Sequence, residues 1–174
     1  MTETEILRHI RDAYGPFIYA SAERHGHHPE VVAGIMCRET QGGLSTLLDK
    51  PGPEGRGDRD DKGVYHGHGL MQIDDRSFPE FVRSGNWRDP GKNIEFGCLV
   101  LAKKRHWLRI VIEREALRGI DLERAAIAAY NGGEGNVRRA IREGRDIDWY
   151  TAHRNYSRDV LRFAETYRGM DAKA

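Results

Sequence analysis

The stretch His28–Gly43, HPEVVAGIMCRETQGG, limits the possible folds more than any other part of the chain. Pro29 suits the first turn of a helix, where its missing N–H would have had no partner. Val32, Ile35 and Met36 recur at helical spacing and define one apolar stripe. Glu39 follows Ile35 by four and Met36 by three, so it lies on that stripe, and Gly42-Gly43 ends the helix directly after it. A carboxylate there is badly placed for stability. Apolar surroundings and the negative pole of the helix both disfavour its charged form. Both raise its pKa, as a general acid working near neutral pH requires. The alternative is a Glu that reaches sideways to water or pairs with an Arg.

The remaining chain reads as one mostly helical domain over residues 1–174, with 1–13 as an N-terminal helical extension. Thr2 and Glu5 fit a capping box that opens a segment with Ile6, Ile10 and Ala13. Gly15-Pro16 interrupts it, and a second helix to His25 buries Phe17 and Ile18. The histidines His25, His27 and His28 mark a turn rather than a metal site, since no carboxylate or Cys accompanies them at ligand spacing. Residues 44–68 form a long Gly-rich cleft loop, charged at its centre, with short extended pieces near Val64-Tyr65 and Leu70–Ile73 pairing as a small sheet. Ser77 and Glu80 fit a second capping box, and Asp89-Pro90 opens a central buried helix to about Leu117. An alanine-rich helix leads to Tyr130-Asn131-Gly132-Gly133, a short one covers Asn136–Glu143, and the last runs from His153 to Gly169.

A net charge of +1 gives no global reason to expect nucleic acid as a partner. The arginines from Arg138 onward form a denser local patch, which suits an anionic polymer such as cell wall or nucleic acid or, for most of them, a solvated helix face. Cys37 and Cys98 sit in apolar runs and read as buried free thiols. MTETEILRHIRDAYG lacks the basic-then-apolar pattern of a secretory signal, and the longest apolar run is too short to span a bilayer. The expectation is a monomer without membrane insertion or signal peptide.

Three separated motifs carry the chemistry: CRETQGG with Glu39, GHGLMQID with Asp74, and AAYNGGEGNV with Tyr130 and Asn131. In that order they resemble the glycoside-hydrolase family that holds goose-type lysozymes and lytic transglycosylases. The detail is more similar to the goose-type branch. Arg38-Glu39-Thr40 answers to its Arg-Glu-Ser, no aromatic follows Glu39 before Tyr65, and an acidic residue follows GLMQ. The resemblance implies an α+β, predominantly α-helical, lysozyme-like fold with a small β-sheet beside the cleft. It implies inverting cleavage of the β-1,4 bond from N-acetylmuramic acid to N-acetylglucosamine in bacterial peptidoglycan, with neither metal nor organic cofactor.

Glu39 would be the acid, and Asp74 and Asp58 the carboxylates that position water; the loop length leaves Asp60 and Asp61 as alternatives to Asp58. For Asp74 a turn or helix-capping role is the other reading. By the same resemblance Gln72, Tyr130, Asn131 and Tyr156 contact substrate, and Phe78 stands where the family usually has His. A proteinaceous lysozyme inhibitor is a further partner to consider. Delivery to the wall would then be non-classical, by phage lysis or leaderless secretion. The rival functions are a lytic transglycosylase, forming 1,6-anhydro-muramyl products, and a non-catalytic wall-binding module.

Overall fold

The computed structural model describes residues 1–171. Its elements are α1 (Glu3–His25), α2 (Pro29–Thr40), β1 (Arg56–Arg59), β2 (Tyr65–His68), β3 (Ile73–Asp74), α3 (Pro79–Arg83), α4 (Pro90–Arg114), α5 (Leu122–Gly132), α6 (Glu134–Arg142) and α7 (Tyr156–Asp171). Helices predominate and the strands form one small antiparallel sheet, an α+β architecture of the lysozyme-like kind.

Helix α1 begins with the expected capping box of Thr2 and Glu5. It does not break at Gly15-Pro16: one helix runs to His25 with Pro16 inside it. The buried residues Ile6, Leu7, Ile10, Tyr14, Ile18 and Ala22 form a stripe that continues past the proline. Pro16 and Asp12 lie on the exposed side, so the carbonyl that loses its partner faces water. Ala13 and Phe17 are exposed for the same reason, contrary to the expectation from the sequence. Leu7 and Ile10 are fully buried in the main core, so residues 3–13 pack as part of the body.

Helices α2 and α7 form the closest pair and run antiparallel. Glu30 meets Arg168 at one end, and Glu39 meets Tyr156 at the other. Gly34 permits the approach, because a Cβ there would lie 2.5 Å from the Val160 carbonyl oxygen. Helix α4 starts as expected, with Asp89 accepting from the Lys92 N–H, and its Asn93, Ile94, Cys98 and Leu101 are buried. His25 bonds to Glu95 (2.8 Å) and His27 to the Cys98 carbonyl (2.9 Å), so two of the clustered histidines hold the end of α1 to α4. Cys37 and Cys98 are buried free thiols, and burial pushes the pKa of both up to about 12.

The sheet differs from expectation. Its middle strand is β2, paired with β1 through Gly57↔Gly67 and with β3 through Gly67↔Asp74. Leu70 and Met71 are not strand residues but belong to the turn between β2 and β3. The charged run that read as the centre of a long loop is itself strand β1 and a tight hairpin. Asp60 closes that hairpin by accepting from the Lys62 and Val64 N–H groups. Ser77 does not cap α3 either. Its hydroxyl and N–H are spent on Asp74, and Phe78 occupies the N-cap without a side-chain bond.

Candidate active site

A cleft of about 600 Å³ runs between the sheet and the helices, lined by Glu39, Asp58, Gln72, Asp74, Arg76, Phe78, Lys104, Tyr130 and Asn131, among others. Its position follows from how the GLMQ turn is anchored. Thr40, the last residue of α2, donates its hydroxyl to the Leu70 carbonyl at 2.9 Å. Asn93 of α4 accepts from the Met71 N–H (2.8 Å) and donates to the His68 carbonyl (3.0 Å). The Tyr130 hydroxyl of α5 donates to the Met71 carbonyl at 2.8 Å. Three helices therefore fix one turn, and with it the strand that carries Asp74. Asn93 has no sequence signal of its own, since a polar residue in an amphipathic helix reads as surface.

Glu39 sits at the end of α2, partly buried and open to the cleft. The fully buried Tyr156 donates a short hydrogen bond to its Oε1. Burial raises the pKa of the Glu39 carboxyl to about 7, and the charge of Asp58 pushes in the same direction. The Tyr156 bond and the Arg38 guanidinium oppose the rise without cancelling it. The upward shift is the one that a carboxylate on the apolar stripe predicts. Tyr156 is not among the cleft-lining residues; it holds Glu39 from behind.

Asp58 and Asp74 both reach the cleft. Asp58 sits on β1 with φ 50°, a left-handed conformation that aspartate tolerates better than most residues but that still carries strain. Asp60 and Asp61 do not line the cleft, and Asp60 is held in the hairpin by its turn and by His66. Asp74 accepts from Arg76 Nε at 2.7 Å and from the Ser77 hydroxyl at 2.6 Å. Against a burial that would raise it, these bonds hold the Asp74 carboxyl below its ordinary value.

Gln72 donates its amide to the Gly69 and Gly55 carbonyls, which packs it beneath the sheet. A Cβ at Gly67 or Gly57 would come within 2.3 or 2.5 Å of its Oε1, so these two glycines make room for it. Asn131 accepts from the Ala152 N–H at 2.9 Å and lies within the last turn of α5. Arg76, which bonds both Asp58 and Asp74, has no signature in the sequence, because an exposed Arg after a charged turn carries no pattern.

Comparison with known proteins gives the family. The family model described as Lysozyme g matches residues 4–170. Lysozyme g of Casuarius casuarius is 29% identical over 157 residues, covering 90% of this chain and 74% of the relative. Lysozyme g of Struthio camelus is 30% identical, covering 90% and 67%, and that of Epinephelus coioides is 28% identical, covering 90% and 75%. With the family model matched over almost the whole length, the chain belongs to the lysozyme g family of glycoside hydrolases.

Proposed function

We propose that this enzyme is a muramidase that hydrolyses the β-1,4 bond between N-acetylmuramic acid and N-acetylglucosamine in bacterial peptidoglycan, with inversion. The observation that carries the reading is the Glu39 carboxyl, its pKa raised to about 7 at the cleft, with two aspartates along the same cleft. Glu39 gives its proton to the glycosidic oxygen as the bond from the muramic acid C1 breaks. A water oxygen bonds to C1 from the other face, and its proton passes to the aspartate pair. The residues need only be far enough apart to admit that water, roughly 6.5–9.5 Å between carboxyls in inverting enzymes.

Asp58 and Asp74 do not share the water equally in this reading. Both oxygens of Asp74 are engaged by Arg76 and Ser77, whereas Asp58 Oδ1 has no hydrogen bond among the described residues. Asp58 is the base and Asp74 its anchor. Tyr156 positions Glu39, Gln72 shapes the floor, and Tyr130 and Asn131 offer cleft surface to the acetamido sugars.

The chain is one catalytic domain that acts as a monomer on wall glycan outside the cytoplasm, with a proteinaceous inhibitor as a candidate further partner. Among the described residues no helix is long and apolar enough to cross a membrane. Mass spectrometry of a peptidoglycan digest tests the reaction. Hydrolysis yields reducing muramic acid ends. A predominant product lighter by one water would instead assign the chain to the transglycosylase reaction, and no product at all to a binding role.

A further inference from the structure

Arg76 transfers no proton in this scheme, yet it touches both carboxylates on which the water depends. Its Nη2 donates to Asp58 Oδ2 at 2.5 Å and its Nε to Asp74 Oδ1 at 2.7 Å. The two aspartates stand on β1 and β3, the outer strands, with β2 between them, so no backbone ladder couples them directly. Like charges on one cleft repel, and the Arg76 cation is among the groups that hold the Asp74 carboxyl below its ordinary value against its burial. The guanidinium supplies that cation in a rigid planar fork with separate donors for the two partners.

Arg76 and Asp58 are 57% and 62% exposed at the side chain. An ion pair that wet contributes little to folding, so its consequence is to be sought in the reaction. Asp58 also holds a left-handed backbone conformation, and the bond from Arg76 restrains the side chain of that strained position.

We infer that Arg76 is a positioning residue: it locks Asp58 and Asp74 into one rigid pair and leaves Asp58 Oδ1 as the one oxygen available to the attacking water. The inference rests on the hydrolytic reading above and adds the residue that makes its base competent.

The test uses Arg76→Gln, Arg76→Lys and Arg76→Ala in the full chain, with a soluble oligosaccharide substrate. Arg76→Gln is expected to lower kcat about 10–100-fold while KM changes less than about threefold, since positioning acts on the water and not on sugar binding. The acid limb of its pH–rate profile moves to higher pH as the cation beside Asp74 is lost. Arg76→Lys keeps the charge but not the fork and recovers part of the rate. Added guanidinium ion restores part of the activity of Arg76→Ala. In an Asp58→Asn background, Arg76→Gln costs little more, because both act through one carboxylate.

A carboxyl-carbon NMR titration reads the bridge without turnover: the Asp74 signal titrates at higher pH in Arg76→Gln than in the parent. An unmoved Asp74 titration, an unchanged rate and pH profile, or an equal loss in the Asp58→Asn background would each overturn the inference. So would a faster Arg76→Gln enzyme, which would make the bridge a latch on the free enzyme. A moved titration together with anhydro products from the parent would overturn hydrolysis while upholding the bridge.

Discussion

Glu39→Gln is expected to lower the rate of wall cleavage by about 10³–10⁴ or more, with the fold retained. The amide fills the same space at the end of α2 and still accepts from the Tyr156 hydroxyl, but it has no acidic proton for the leaving oxygen. The same substitution carries a signature in stability. The pKa of the folded carboxyl, at about 7, lies above the 4.5 of an unhindered Glu, so the folded state holds a proton that the unfolded state has released between those values. Stability of the parent therefore falls as pH rises through this window and levels off above it. The loss is on the order of 2–3 kcal/mol for this partly buried group. Glu39→Gln lacks this loss, so its stability relative to the parent improves from pH 4.5 to about pH 8. Denaturant melts at the two pH values measure the change. A pH-independent difference would mean that Glu39 is not a raised acid.

Asp58→Asn is expected to cost about 10²–10³ in kcat, by removing the oxygen that takes the proton of water. Asp74→Asn is expected to be milder than Asp58→Asn, since its carboxylate acts by holding Arg76 and Ser77 in place. The double variant should fall below either single one yet short of the product of the two losses, because both act on one water. Steady-state rates of the three proteins decide the ranking. Equal, fully multiplicative losses would mean two independent roles.

Glu39 was legible because its evidence is local: helical spacing put it on a buried stripe near the helix end, although the stop itself is Gln41 in the left-handed conformation and not Gly42-Gly43, which lie in the tight turn beyond it. The starts of α1 and α4 were legible for the same reason, each being a capping pattern within a few residues. Local rules failed where a neighbour in space competed. The proline in α1 breaks no helix, because the core stripe lies on its other side. Ser77 fits a capping box but bonds Asp74 instead. Strand β1 was hidden because RGDR lacks the branched and aromatic residues that mark strands, and its pairing with YHGH depends on two facing glycines packed on Gln72. The contact of Tyr156 with Glu39 joins residues 117 positions apart, and only the packing of α7 on α2 creates it. Arg76 and Asn93 belong to the same class. Each is an ordinary polar residue whose importance comes from what the fold brings to it.

Inversion with a water held by Asp58 is the central claim, and the anomer first released tests it most directly. Proton NMR of a β-linked oligosaccharide, recorded before mutarotation, should show the α-anomer appearing first and the β-anomer only later. A β-anomer formed first would mean retention through a covalent or substrate-assisted intermediate, and would contradict the role of Asp58 as the base that activates water.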